Sequence, residues 1–518
     1  MNKDTEIDMK DVELNELDPE KQPITGDGQA SGGEKNGSVK LKVPDDEVTF
    51  TGLSKDELMK VAGTPGWVRT RWVLLVLFWL GWVGMLAGAI VIIVQAPRCK
   101  PIPEMQWWNE GPLYQINDVE SFSEDLAGVE SKLDNINQLK VKGLVLGPLH
   151  NVQKDEPVTL NLQEIKPDVG SKDNLKAVLD RAHKKSISVV LDLTPNYLGS
   201  AQWFNDNNVL DEVVDKVKAA AEYWLQFGFD GIKISGLTIA SNSTEWSKLR
   251  AVVQGNNTEE TKKGALMGVV EGISAAEVSQ LINTTGTDVV LSDLLSSKTG
   301  GVERIKAMDT LNPQQRNLGW GLGATQQKQL SAQGQKLIHL YQLLLFTMPG
   351  TPVFTYGDEI GLTAGEGSTS AKMVWDLEKP AEGAGVNETA MDVQQQRIDT
   401  RKWFISLSDL RGKERSLLHG DYYSLHSSPT SLSFLRLWDQ SERYITAVNW
   451  GTTEQTITFK LEPTGKLNAN ASEGVELPET AKVKLSTDEN LKPDDSVSLD
   501  KLVLQPGQAV LLQFPYAG

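Results

Sequence analysis

The stretch "LLLFTMPGTPVFTYGDEIGL", residues 343–362, decides how this chain folds. Within it, "TPVFTYGDEIGL" is a short apolar run closed by glycine and polar residues, the pattern of a buried strand. The same pattern recurs upstream in "GPLYQI", "VKGLVLGPLH", "SISVVLDLTPN", "FDGIKIS", "GALMGVVEG", "DVVLSDLL" and "LGWGLGAT". Between several of these runs lie helical patterns such as "SKDNLKAVLDRAHKKS" and "DEVVDKVKAAAEYWLQFG". Strands separated by helices of that length build βαβ units around a parallel sheet. Eight such strands between residues 105 and 415 suit a closed (β/α)8 TIM barrel, usually about 250 residues with insertions. An open doubly wound sheet is the second choice.

Beyond residue 415 the rhythm changes. "YYSLHSS", "LSFLRLW", "RYITAVNW", "QTITFKLE", "AKVKLS" and "QAVLLQF" read as strands joined by turns, without long helices. Residues 416–518 are expected to form an antiparallel β-sandwich. The fold class is therefore α/β, with an all-β tail.

At the other end, Val73 to Val94 reads "VLLVLFWLGWVGMLAGAIVIIV", with no charged residue. About 20 apolar residues span a hydrocarbon core, so a transmembrane helix is expected over residues 72–95. A long polar segment precedes it, which excludes a cleaved signal peptide and points to a signal anchor. Residues 1–71 are expected to be a mostly disordered tail, because "DPEKQPITGDGQASGGEKNG" cannot bury enough apolar surface to offset chain entropy. Ser54 and Glu57 predict a capping box opening a short helix, ended by Gly63 and Pro65. Residues 96–104 form a juxtamembrane neck.

Composition excludes several classes of function. The formal net charge of −18 argues against nucleic-acid binding, which needs a basic face. The five histidines are scattered without ligand spacing, and one cysteine cannot build a zinc site, so no metal is expected. The fragments "GLGAT" and "GEG" lack the Gly-Lys-Ser/Thr ending of a phosphate loop, and no cofactor is expected. His183 lies on a predicted helix and reads as a surface or packing residue.

Basic residues flank both ends of the apolar run, so charge alone favours a cytoplasmic N-terminus only weakly. Asn-x-Ser/Thr acceptors occur at Asn242, Asn256, Asn283, Asn387 and Asn470, all after the run, with one more at Asn36. Together with the C-terminal bulk they favour a type II membrane glycoprotein with its large domain outside. Gly84 and Gly88 are spaced Gly-x-x-x-Gly, with Gly81 a turn earlier. That spacing suits close helix packing in lipid, though glycine is also common in membrane helices. Cys99, the only cysteine, falls just outside the membrane on the oxidising side. An intermolecular disulfide, a free thiol and palmitoylation are the alternatives.

Several of the quoted motifs resemble the alpha-amylase family of glycoside hydrolases. "QWWNEGPLYQI" is similar to that family's first barrel strand, "LKVKGLVLGPLH" to the second, and "LLLFTMPGTPVFTYGDEIGL" to the eighth. "ISVVLDLTPNY", with Asp192 and Asn196, resembles the third. The resemblance implies a glucosidase-type barrel, and it implies where catalytic carboxylates would stand. Those positions are changed. The fourth-strand nucleophile position holds Ser235, with Lys233 at the preceding arginine position. The fifth-strand acid position holds Val269, unless a two-residue slip brings Glu271 there. The seventh-strand Asn-His-Asp appears as Gly323, Ala324 and Thr325, and the third-strand histidine as Tyr197. A retaining glycosidase needs two carboxylates, and a hydroxyl without an activating partner cannot replace one. Only a few residues separate "TPNY" from "QWF", so the inserted B lobe that the family uses around calcium and substrate is nearly absent. The barrel is expected to be inactive.

"FTGLSK", "GWVRTRW", "LFWLGW", "GMLAGA" and "LSDLRGKERSLLHGD" are similar to the glycoprotein heavy subunits of heteromeric amino-acid transporters. That resemblance implies a trafficking and stabilising subunit, disulfide-linked through its juxtamembrane cysteine, here Cys99, to a multi-spanning light chain. The light chain exchanges the amino acids. It also implies association with integrin β subunits, besides contact with membrane lipid. Two other classes stand beside it: a cell-surface α-glucosidase using displaced carboxylates among Asp230, Glu271, Asp293 and Asp358, and an adhesion scaffold without a transporter.

Overall fold

A computed structural model describes residues 54–95, 100–151, 155–199, 202–205, 207–255, 264–295, 299–321, 329–363, 371–377, 388–461 and 477–516. Cys99, Asn256, Thr325 with Gly323 and Ala324, Asn387 and Asn470 lie outside the described residues. The chain divides into two compact units, with the boundary between Pro97 and Arg98.

The first unit carries two helices. The helix Lys55–Ala62 opens on a capping box in which Ser54 Oγ accepts from Glu57 N and the Glu57 carboxylate accepts from Ser54 N, and Gly63 caps its end. The second helix runs Pro65–Gln95, 31 residues with none buried. It begins at Pro65 rather than at residue 72, because proline fits the first helical turn, where its missing N–H costs nothing. At 1.5 Å per residue it is about 46 Å long, more than the roughly 30 Å hydrocarbon thickness.

The second unit holds the barrel and the sheet. Strands β1 (Leu113–Ile116), β2 (Gly143–Leu146), β3 (Ser188–Asp192), β4 (Gly231–Ser235), β5 (Ala265–Val270), β6 (Val289–Ser292), β7 (Leu318–Trp320) and β8 (Thr351–Thr355) are parallel and close in chain order, β8 pairing with β1. Almost every strand residue is buried, which is why these segments read as continuous apolar runs rather than alternating ones. One set of side chains packs outward on the helices, for example Ile232 and Ile234 of β4. The other fills the barrel: Leu113, Val145, Val190, Met267, Val269, Leu291 and Val353 form one interior cluster. Gly319 of β7 leaves room for that filling, since a Cβ there would sit 2.2 Å from Leu291 Cδ2.

Strands β9 (Asp421–Ser427), β10 (Ser431–Leu437), β11 (Arg443–Asn449), β12 (Gln455–Ile457), β13 (Thr480–Ser486), β14 (Ser496–Ser498), β15 (Leu502–Leu504) and β16 (Ala509–Phe514) follow. They form a six-stranded antiparallel sheet in the order β14-β13-β16-β11-β10-β9 and a separate pair, β12-β15. The period-two alternation of β10 decides both of its interfaces. Leu432 and Phe434 join the barrel-side core, while Leu435 and Leu437 pack with Ile457, Leu502 and Leu504 of the pair.

The helix Ile338–Thr347, apolar on all sides, is buried almost throughout, as such a helix must be. Its C-terminal carbonyls meet two buried guanidiniums. Arg411 donates to Phe346 O, Met348 O and Gly350 O, and Arg436 to Thr347 O, Leu417 O and Gly420 O. A cation at a helix C-terminus is favourable for the macrodipole and for the unpaired carbonyls there.

Candidate functional site

In a parallel barrel, side chains at the C-terminal ends of the strands converge on one mouth, where barrel enzymes place their chemistry. Here the ends of β1 to β4 surround a cavity of about 260 Å³. Asp192 ends β3, and Lys233 and Ser235 come from β4, on the face opposite Ile232 and Ile234. Asp192 and Lys233 are register partners, and Lys233 Nζ donates to Asp192 Oδ2 at 2.9 Å. The other carboxylate oxygen, Oδ1, accepts from Thr194 N at 2.9 Å and Thr194 Oγ1 at 2.5 Å. Thr194 Oγ1 in turn accepts from Ser235 N, and Ser235 O accepts from Trp203 Nε1. A continuous chain of hydrogen bonds thus links β3, β4 and Trp203 at the mouth.

Ser235 and Val269 are also register partners, on β4 and β5. The two positions at which the amylase resemblance places carboxylates are therefore brought together, and they hold a hydroxyl and two methyls. Val269 packs in the interior cluster at 2% exposure, which leaves no water or partner for an ionised group. Tyr197 donates its hydroxyl to His150 O at 2.9 Å and meets that imidazole edge-on at 5.3 Å. Burial raises the Tyr197 phenol to about 12 and lowers His150 to about 4, so both rings stay neutral at neutral pH.

Of the four carboxylates of the displaced-site alternative, Glu271 and Asp293 follow the neighbouring strands β5 and β6, and the other two lie elsewhere. Asp230 precedes β4, at the opposite end of the barrel, where its Oδ2 accepts from Val189 N and lies 2.7 Å from His183 Nε2. His183 thus ties its helix, Lys172–Lys184, to the barrel floor. Asp358 is buried after β8, accepting from Leu330 N and Thr355 N, and burial raises it to about 8. Asp293 accepts from Gly272 N, and Glu271 lies exposed just past the end of β5. No three His, Cys, Asp or Glu side chains among the described residues converge as a metal cluster.

Sequence reasoning missed Asn117, Asp118, Lys166 and Asp168, which line the same cavity. Their signal was positional: Asn117 and Asp118 follow β1 directly, and Lys166 and Asp168 lie in the connection after β2. Elsewhere, Asn242 and Asn283 are exposed at the surface of the second unit. On the long helix, a Cβ added at Gly81, Gly84 or Gly88 would meet nothing within 4 Å.

Comparison with known proteins agrees with both resemblances. Residues 38–114 match the family model "Solute carrier family 3 member 2 N-terminus", and residues 114–210 match "Alpha amylase, catalytic domain". The chain is 43% identical to the amino acid transporter heavy chain SLC3A2 of Oryctolagus cuniculus and to that of Mus musculus, each over the full length of both chains. It is 22% identical to the heavy chain SLC3A1 of Rattus norvegicus, over 90% of this chain and 86% of that one. Among solved structures, a debranching enzyme of Nostoc punctiforme superposes with a TM-score of 0.57 at 18% identity, over 80% of this chain and all of that one. An alpha-amylase of Geobacillus thermoleovorans gives 0.55 at 18% identity, with the same coverage. At that identity the likeness is one of fold. The sequence identity along the whole length goes further, and this chain belongs to the SLC3A2 family of amino acid transporter heavy chains.

Proposed function

We propose that this heavy chain is a non-catalytic, single-pass type II subunit that brings a multi-spanning light chain to the plasma membrane and holds it by a disulfide at Cys99. The observation that carries the reading is the helix Pro65–Gln95, uncharged from Val73 to Val94 and with no buried residue, ending four positions before the lone cysteine. In an oxidising compartment a lone thiol beside a membrane anchor is suited to pairing with another chain. Gly81, Gly84 and Gly88 would let a second helix approach closely, a contact separate from the covalent one. Glycans on Asn242, Asn256, Asn283, Asn387 and Asn470 would follow from an extracellular second unit.

The absence of catalysis is supported by Ser235 and Val269 standing as register partners where two carboxylates would be needed. The amino acids exchanged would be chosen by the light chain. Association with integrin β subunits, implied by the family resemblance for the membrane and cytoplasmic parts, would run through the first unit.

Non-reducing gels of membranes co-expressing a light chain test the covalent part. A heterodimer band should collapse on reduction and be missing for Cys99→Ser. A monomer band alone, with light chain present, would remove the disulfide from the reading. Hydrolysis of an α-glucoside by the purified chain would overturn the non-catalytic part.

A further inference from the structure

The anchoring role leaves the mouth cavity unused, yet its lining carries both signs of charge beside an apolar wall. Lys166 is half-buried there, with Nζ 4.9 Å above the Tyr197 ring. It makes no ion pair among the described residues. Burial depresses its pKa, while the charges of Asp118 and Asp168 act in the other direction. Asn117 Oδ1 is enclosed and accepts no hydrogen bond. A buried acceptor without a donor is destabilising, and an incoming N–H would satisfy it.

The remaining charged groups divide into two kinds. Lys233 and Asp192 satisfy each other and are closed to a ligand. Asp168 and Glu120 are exposed at the rim, and Asp118 caps the helix Val119–Ser123 through Ser121. Val169 and Leu198 give the apolar side. A simple anion would meet Asp118 and Asp168, and a simple cation would meet Lys166. A neutral sugar would leave Lys166 unpaired. The volume, about 260 Å³, far exceeds the roughly 10–15 Å³ that one water needs.

We propose that this cavity binds a free neutral α-amino acid with an apolar side chain. Its carboxylate pairs with Lys166 Nζ, its ammonium faces Asp118 and Asp168 and donates to Asn117 Oδ1, and its side chain lies against Val169 and Leu198. The site rests on the non-catalytic reading of the barrel and is independent of the disulfide at Cys99, so the gel and the binding measurement fail separately.

Calorimetric titration of the purified full-length chain, free of light chain, tests it with L-leucine as the probe. Isoamylamine and 4-methylpentanoate serve as its single-charge analogues, and maltose as the sugar. Leucine should bind saturably at one site, with each analogue weaker by about tenfold or more. Lys166→Gln should weaken leucine by a similar factor, and Lys166→Arg should retain it. The proposal is overturned if leucine gives no binding up to about 10 mM, if an analogue matches it, or if maltose binds instead. It is equally overturned if Lys166→Gln binds as the parent does, or if Lys166→Arg loses as much as Lys166→Gln. The analogue comparison on the unmodified chain keeps the proposal falsifiable should either variant fold poorly.

Discussion

The Lys233 ammonium donates to Asp192 Oδ2 across 2.9 Å, from neighbouring strands and with both residues less than a tenth exposed. Beside a second carboxylate on β4, that cation would be shared. With Ser235 in place, Asp192 takes it alone, and the pair becomes an internal support.

Lys233→Met should therefore destabilise the second unit strongly, by about 3–5 kcal/mol, because it leaves a buried carboxylate without its counter-charge. Adding Asp192→Leu should recover more than half of that loss, since an apolar pair of similar volume avoids the desolvation cost. Urea unfolding followed by tryptophan fluorescence measures both. Equal stability of the single variant and the parent would count against the pair as a support.

Arg411 makes a second prediction, at the junction of barrel and sheet. Its guanidinium is fully buried and serves backbone carbonyls at the end of the helix Ile338–Thr347. Arg411→Met should cost about 3 kcal/mol, because several enclosed carbonyls lose their donor together. Arg411→Lys should restore only part, lacking the planar fork that reaches separate acceptors. A loss below about 1 kcal/mol would show that the carbonyls find other donors.

Two buried groups should make stability depend on pH in opposite senses. His150 is 2% exposed, and burial lowers it from 6.5 to about 4. The unfolded chain binds its proton more readily, so this contribution is complete above pH 6.5 and is lost as pH falls toward 4. Asp358 behaves oppositely, since burial raises it from 3.8 to about 8. The folded chain then holds the proton, and stability from this group declines as pH rises from 3.8 through 8. Unfolding midpoints across pH should lose the acid-side fall between pH 6.5 and 4 for His150→Gln, and the decline between pH 3.8 and 8 for Asp358→Asn. Unchanged slopes would refute these assignments.

The barrel strands were legible because each is buried on both faces and reads as a short apolar run between glycines or polar residues. The six sandwich strands read from the sequence were legible as short β-rich runs between turns, some alternating buried and exposed residues, as in β13. Strands β14 and β15 were not. Each is three residues long, and "SVS" and "LVL" become strands only through their partners, β13 and the more distant β12. Nor does the run "QTITFKLE" remain a strand throughout, since β12 ends at Ile457.

The site divides along the same line. The sequence by itself determined the resemblance to an amylase-like barrel and the residues Ser235 and Val269 on its strands, because residue identity is local information. It also determined the membrane-length helix and the lone cysteine after it. Only the tertiary structure decided that Ser235 and Val269 are register partners and that Asp192 and Lys233 neutralise each other. It alone placed Asp230 at the far end of the barrel and gathered Lys166 and Asn117 at the mouth. Closing eight strands into a ring sets those neighbours, and no spacing along the chain encodes which strand ends will meet.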